Sequence, residues 1–144
     1  MSPTVHRILV PTDGSAHAER ALAYAIGLVK AMPGAELHLL NIQPPVTGMA
    51  GTLVGHQTLK DYHREEAMKV LQAPLAAAAA AGVAAKHHIG VGQPGPTIAG
   101  FAKELGCAQI VMGSRGLGAT IGMILGSVAT DVLHHAEVPV TLVK

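Results

Sequence analysis

Four small residues in the last third of the chain have the spacing of an anion-binding loop. Gly113, Gly116, Gly126 and Ser127 form the pattern G-x-x-G-x(9)-G-S, between a short apolar run and a stretch with helical character. Glycine lets the backbone approach a ligand closely. The first N–H groups of a helix are unpaired and carry partial positive charge. Phosphate is the usual ligand of such a site, so the loop predicts binding of a phosphate-containing molecule.

The two commonest phosphate-binding motifs do not fit this loop. The dinucleotide-binding motif G-x-G-x-x-G would need a glycine where the chain has Ile121. The Walker motif would need a lysine where the chain has Ala119. The loop therefore matches neither the Rossmann fingerprint nor the P-loop.

A second turn-rich segment follows the first apolar run of the chain. Residues 8–10 are apolar and predict a buried strand, and the next five residues, 11–15, are Pro-Thr-Asp-Gly-Ser. Ser15 is a good N-cap for the helix predicted after it. If the first and fourth strands are neighbours in a parallel sheet, this segment and the glycine loop converge on one crevice.

Strand and helix patterns alternate along the whole sequence. Strands are predicted near residues 8–10, 37–42, 83–89, 109–112 and 138–143, and helices after Ser15, over 58–81, from Pro96 to Leu105 and from Ser127. Pro74 is expected to kink or divide the second helix, and residues 43–57 are expected to form a long loop. This order predicts a single α/β domain with a five-stranded parallel sheet and helices on both faces.

Composition narrows the possible functions. The chain has 144 residues, of which 13% are charged, with a net charge of +1, so electrostatics gives no reason to expect binding to nucleic acid or to an anionic membrane. Aromatic residues make up 2%, which argues against base stacking and against a flavin site. One cysteine, Cys107, is expected to be an inert thiol in a reducing compartment. No signal sequence or membrane span is visible, so we expect a cytosolic protein.

Taken together, these motifs resemble the universal stress protein family in its ATP-binding branch. The resemblance rests on Asp13 behind the first strand and on the nine-residue gap before Gly126 and Ser127. Residues 39–42, 126–129 and 138–140 also resemble the family's second strand, closing helix and closing strand. The resemblance implies one adenine-nucleotide-binding domain over residues 1–144, with a Rossmann-like, doubly wound sheet in the order 3-2-1-4-5.

The resemblance also implies a set of nucleotide contacts. They are Pro11, Thr12 and Asp13 on the adenosine side, Ile42 and Met112 at the base, Gly113, Arg115 and Gly116 near the ribose or phosphates, and Gly126, Ser127 and Val128 offering backbone N–H groups to the phosphates. The cofactor implied is ATP, or ADP or AMP, with Mg²⁺ or Mn²⁺. An aspartate in such a site suits a ribose hydroxyl or the divalent cation, although Asp13 could instead only cap the first helix.

The function implied is a stress-response or signalling module rather than an enzyme, and no catalytic residue is predicted. A slow Mg-dependent ATPase and a nucleotide-free partner-binding scaffold remain alternatives. Pro139 cannot donate a ladder hydrogen bond, which places residues 138–143 at the sheet edge. That edge is the expected surface of a homodimer.

Nine histidines raise the question of a metal site. The adjacent pairs at 87–88 and 134–135 lack the spacing of a structural zinc site, and neighbours on a strand point to opposite faces. We expect histidines such as His56 and His63 to lie at the surface or at helix ends.

Overall fold

Strands and helices alternate strictly in the computed structural model, which describes residues 5–46, 58–118 and 121–144. The elements are β1 (Arg7–Pro11), α1 (Ala16–Ala31), β2 (Glu36–Gln43), α2 (Leu59–Ala80), β3 (Ala85–Val91), α3 (Pro94–Glu104), β4 (Gln109–Gly113), α4 (Ser127–His135) and β5 (Val140–Val143). None of the helices in these ranges is long and apolar enough to cross a membrane. Of the predicted loop 43–57, Gln43 belongs to β2, and residues 47–57 lie outside the described part of the chain.

All five strands pair in parallel, in the order β3-β2-β1-β4-β5. This confirms the predicted α/β fold and strand order. Because β1 and β4 are neighbours, the segments that follow them leave the sheet side by side at its carboxyl edge. The predicted edge position of the last strand is confirmed as well, since β5 pairs with β4 alone.

Three elements begin two residues away from their predicted start. Strand β3 begins at Ala85 rather than at Val83, because the Val83 amide donates back to Ala78 O (2.9 Å) and ends helix α2. Helix α3 begins two residues earlier than Pro96, at Pro94. Strand β5 begins at Val140 instead of residue 138.

Pro74 was predicted to kink or divide helix α2; the helix runs unbroken from Leu59 to Ala80, so the division is wrong and the kink stays a prediction. A proline removes one backbone donor from a helix and its ring crowds the carbonyl four residues earlier. Here Pro74 is buried on the same face as Leu71 and Ala78. Packing of that face against the sheet outweighs the local preference of proline, as tertiary contacts commonly do.

The sheet separates two apolar cores, one on each face. Helices α1 and α2 cover the first face, around Ile8, Val10, Leu37, Leu39, Leu71 and Val111. Helices α3 and α4 cover the second, around Leu9, Leu40, Ile98, Ile110 and Val132. Side chains alternate between the two faces along each strand. Because helices cover both faces of the sheet, the side chains on both faces are buried and apolar.

Helices α3 and α4 approach each other through Gly95. A Cβ atom at this position would overlap the Cβ of Asp131 and lie 3.1 Å from its carbonyl carbon. We therefore expect Gly95→Ala to lower the free energy of unfolding by about 1–3 kcal/mol, as overpacking of a close contact does. Urea unfolding measures this change.

Gly100 is the matched control on the same helix, because a Cβ there meets no atom within 4 Å in the part of the chain that the structure describes. Gly100→Ala is expected to leave the stability unchanged or to raise it by up to about 1 kcal/mol, since alanine favours helix more than glycine does. Equal stabilities for the two variants would show that the α3–α4 contact does not depend on Gly95.

Candidate functional site

The segments after β1 and β4 enclose a cavity of about 280 Å³ at the carboxyl edge of the sheet. The cavity is lined by all eleven residues that the sequence singled out, which are Pro11, Thr12, Asp13, Ile42, Met112, Gly113, Arg115, Gly116, Gly126, Ser127 and Val128. Residues separated by up to 117 positions therefore meet in one place, as the strand order requires. Such crevices are where doubly wound sheets bind ligands.

The floor of the cavity is apolar. It is formed by Leu40 and Ile42 of β2, Met112 of β4 and Ile98 of α3. Leu40 and Ile98 belong to the core between the sheet and helices α3 and α4, and Met112 is buried with them. A flat, weakly polar group such as a purine fits this surface, as most ligand sites have a largely apolar lining.

Nine further lining residues were missed by the sequence reasoning. They are Ala18, Leu40, Asn41, Pro94, Ile98, Leu117, Gly118, Met123 and Ala129. Leu117 and Gly118 belong to the glycine loop that was predicted to reach this crevice, and Asn41 carries a signal as a polar residue inside an apolar strand. Its buried amide donates to Thr12 O (2.9 Å) and its Oδ1 accepts from Gln43 Nε2 (2.6 Å). Asn41 thus fixes the backbone of the segment that carries Asp13.

Asp13 joins the two segments that form the mouth of the cavity. Its Oδ1 accepts from Ser15 N (2.9 Å), and its Oδ2 accepts from Leu117 N (3.1 Å) in the glycine loop. A Cβ on Gly116 would overlap that Oδ2, so any side chain at this position would push the carboxylate out of its place. The N-cap of α1 is Ser15, whose side chain accepts from Ala18 N (3.2 Å), so the alternative reading of Asp13 as only a helix cap is wrong.

Asp13 is the one carboxylate among the described residues that line the cavity. Each of its oxygens already accepts one backbone hydrogen bond and keeps further lone-pair capacity. The described residues contain no group of three or more His, Cys, Asp and Glu side chains arranged to hold a metal. The donor set therefore fits a cation that takes most of its ligands from phosphates and water, the usual situation of Mg²⁺.

Helix α4 points its start at the cavity. Its N-cap is Gly126, which offers no side chain to the first turn. The first N–H groups of a helix have no partner within it, and the backbone hydrogen bonds among residues 5–46, 58–118 and 121–144 that lie outside helices and strands do not include the amides of Ser127, Val128 and Ala129. The Gly126 amide is different, because it donates to Ser114 O (2.7 Å). The expectation that Gly126 offers its N–H to phosphate is therefore wrong. This N–H instead closes the loop between β4 and α4.

Gly113 and Arg115 both contact the start of α1. A Cβ on Gly113 would lie 2.8 Å from the Cβ of His17, so its small size serves helix packing. The guanidinium of Arg115 lies against the His17 ring, with Nε at 3.2 Å and Nη2 at 3.1 Å from His17 Nε2. Burial and the positive charges of Arg115 and Arg20 lower the pKa of His17. Sequence reasoning missed His17 altogether.

A family model for the universal stress protein family matches residues 4–144. The chain belongs to that family. It is 31% identical over 147 residues to universal stress protein YxiE of Bacillus subtilis, covering 96% of this chain and 99% of the relative. This confirms the resemblance seen in the motifs around Asp13 and the glycine loop.

Solved structures of universal stress proteins and their relatives share the fold. The structure of protein MJ0577 superposes with a TM-score of 0.81 at 28% identity, covering 99% of this chain and 97% of the other. A universal stress protein from Archaeoglobus fulgidus, in complex with dAMP, superposes with a TM-score of 0.69 at 25% identity, covering 98% of both chains.

The other residues considered as metal ligands or reactive groups do not line the cavity. His134 and His135 are exposed at the end of α4, as expected, whereas His63 is buried, so its expected surface position is wrong. His63 lies on the face of α2 that packs against the sheet with Ala67 and Leu71. Cys107 is buried, and burial raises the pKa of its thiol, which agrees with an unreactive role. His56 lies outside the described residues.

Proposed function

We propose that this chain binds ATP, or the related nucleotides ADP and AMP, and acts as a cytosolic stress-response or signalling module. The observation that carries the proposal is the cavity itself, where an apolar floor, one carboxylate and the start of a helix lie together. The complex of the Archaeoglobus fulgidus relative with dAMP supports the choice of an adenine nucleotide. The single buried thiol of Cys107 suits a reducing compartment.

In this proposal the nucleotide lies across the carboxyl edge of the sheet. The base rests on Ile42 and Met112, and the phosphates meet the amides of Ser127 and Val128, where the dipole of α4 favours negative charge. Asp13 lies between these ends, within reach of a ribose hydroxyl. A bound Mg²⁺ or Mn²⁺ would neutralise phosphate charge, with Asp13 as its protein ligand.

The lining favours binding over turnover. Phosphoryl transfer needs charge neutralisation and a group that orients the attacking nucleophile. Among the described residues of the cavity, the charged side chains are Asp13 and Arg115, and both oxygens of Asp13 are engaged by backbone amides. We therefore propose slow ATP hydrolysis at most.

The first test identifies the ligand that the protein carries. Freshly purified protein is denatured, and the released small molecules are separated by chromatography. We expect an adenine nucleotide in a near-stoichiometric amount, or, for an empty preparation, calorimetric binding of ATP with Mg²⁺. A preparation that carries no nucleotide and gives no heat with ATP and Mg²⁺ would leave the partner-binding scaffold as the better account.

We also propose that the chain forms a homodimer through the edge strand, residues 138–143. The carbonyls of Pro139 and Val143 accept from Ile110 N (2.9 Å) and Ser114 N (2.8 Å) of the β4 side. Because strand groups alternate in direction, the backbone N–H and C=O groups of Val140 and Leu142 face the open edge. An open edge of this kind pairs readily with a second copy.

Val140→Pro tests the edge directly, because it removes an outward N–H that β4 does not use. We expect the variant to dissociate at concentrations where the native chain is dimeric, as measured by analytical ultracentrifugation. Val140→Ala also removes the valine side chain but keeps the backbone N–H of residue 140. This variant is expected to remain dimeric. A dimeric Val140→Pro variant would exclude pairing through this edge.

A further inference from the structure

Arg115 lies between the starts of two helices that border the cavity. Its backbone packs on the N-cap of α4, since a Cβ on Gly126 would lie 3.3 Å from the Arg115 Cα. Its guanidinium reaches the start of α1 and lies against His17. The residue thus spans from the proposed phosphate end of the site to a side chain that does not line the cavity.

The contact fixes the state of the His17 ring. Arginine is always protonated and has donors only, so His17 Nε2 must accept and the imidazole must be neutral, with its proton on Nδ1. Burial and the neighbouring charges of Arg115 and Arg20 act in that direction by lowering the pKa of His17, against a smaller opposing effect of Asp13. Geometry and electrostatics therefore agree on a neutral acceptor.

The position of His17 is itself tightly held. It is the second residue of α1, directly behind the N-cap hydrogen bond between Ser15 and Ala18. Its Cβ lies where a side chain on Gly113 would have to be, so helix and loop are in direct contact. A long arginine side chain in a loop is otherwise flexible, and its ordering costs conformational entropy. Contact with the His17 ring orders the Arg115 side chain before a ligand binds, so much of this entropy cost does not count against binding.

Donors remain on the guanidinium for a ligand. A guanidinium has five N–H groups, and the contact with His17 involves only Nε and Nη2. The terminal nitrogens are suited to a phosphate oxygen, which guanidinium groups bind in a directional way. In the proposed binding mode the amides of Ser127 and Val128 take the first phosphate, so a nucleotide with more phosphates offers further oxygens to Arg115, which lines the same cavity.

We propose that His17 is a positioning residue that holds Arg115 for the distal phosphates, and that this pair makes the site prefer ATP over AMP. The inference rests on the proposed nucleotide function and adds to it the pair, His17 and Arg115, that distinguishes nucleotides by their number of phosphates. Adenosine would bind through the base and the ribose, and AMP through these and the start of α4, so both are largely indifferent to the pair.

The test compares the dissociation constants of ATP with Mg²⁺, AMP and adenosine by calorimetry. Arg115→Met is expected to reduce the preference for ATP over AMP about tenfold, the lower range for a hydrogen bond to a charged group. His17→Leu is expected to give a similar reduction, and the double variant no more than either alone, because the two residues act as one unit. His17→Gln keeps an acceptor in place and is expected to retain most of the preference.

The outcomes separate a positioning role from a structural one. If His17 only stabilises the fold, His17→Leu will weaken all three ligands equally, or its effect will add to that of Arg115→Met, and the inference is then wrong. An unchanged ratio of ATP to AMP affinity in His17→Leu overturns it too, while leaving the proposed function intact. Failure of the native chain to bind any of the three ligands would overturn both.

Discussion

Gly116→Ala is expected to weaken ATP binding about 10- to 100-fold, because the displaced Asp13 carboxylate would lose one hydrogen bond to the nucleotide, and hydrogen bonds to charged groups have this range. A single Cβ at this position would occupy the place of Asp13 Oδ2. The carboxylate can turn aside, but it then loses Leu117 N, the contact that joins the β1 segment to the glycine loop. Calorimetric titration with ATP and Mg²⁺ measures the loss, and urea unfolding is expected to change little because Asp13 and Leu117 are exposed.

Gly118→Ala is the matched control, two positions further along the same loop. Gly118 also lines the cavity, yet a Cβ there meets no atom of the described residues within 4 Å. We expect this variant to bind ATP like the native chain. Asp13→Ala combined with Gly116→Ala should be no weaker than Asp13→Ala alone, because both act through one carboxylate. Equal affinities of the Gly116→Ala and Gly118→Ala variants would contradict the role given to Gly116.

The fold could be predicted because its signals are local. Apolar runs such as residues 8–10 and the helical periodicity behind Ser15 are contained in short windows of sequence. Their alternation restricts a single domain to a parallel sheet with helices on both faces. The exact strand order was implied by family resemblance, and the parallel pairing of β1 with both β2 and β4 confirms it.

The contacts inside the site were harder to predict than its location. Arg115 and His17 are 98 residues apart, and their meeting depends on how α1 packs on Gly113. The same is true of Gly126, whose N–H was predicted to meet phosphate but donates to the carbonyl of Ser114 and closes the loop. Spacing identifies which residues reach the edge of the sheet, but side-chain partners follow from packing that no short window contains.

A second network lies at the opposite, amino edge of the sheet and controls how stability depends on pH. His38 is buried, and its Nε2 lies 2.9 Å from Glu36 Oε1 while its Nδ1 lies 2.9 Å from His88 Nε2. Arg7 Nε donates to the same Glu36 oxygen (3.1 Å), and Lys86 Nζ lies 3.5 Å from the other. Charge and hydrogen bonding across three strands thus centre on one carboxylate.

The pKa values set the direction of the effect. The hydrogen bond from His38, together with Arg7 and Lys86, lowers the pKa of Glu36 from 4.5 to about 2. Burial and the charges of neighbouring residues lower the pKa of His88 below 6.5. In both cases the unfolded chain takes up a proton at a higher pH than the folded chain, so stability is lost as the pH falls. For His88 the loss begins near pH 6.5, and for Glu36 it falls between pH 4.5 and about 2.

Glu36→Gln is expected to remove the second of these losses. The amide oxygen of glutamine still accepts from buried His38, so the variant keeps a partner for that ring, but it cannot be protonated in this range. Proton uptake on unfolding between pH 4.5 and 2 should fall by about one, which appears as a flatter dependence of urea stability on pH. At neutral pH the variant should be less stable than the native chain, because the charges of Arg7 and Lys86 lose their carboxylate.

Glu66→Gln separates this effect from a general change in charge. Glu66 lies 3.0 Å from Lys69 on the surface of α2, an exposed pair of the kind that contributes little to stability. This variant removes the same charge and is expected to follow the native curve throughout. At the amino edge Glu36 is engaged within the protein by Arg7, His38 and Lys86, whereas we propose that the carboxyl edge meets a ligand. Parallel curves for Glu36→Gln and the native chain between pH 4.5 and 2 would show that Glu36 is not the group that titrates there.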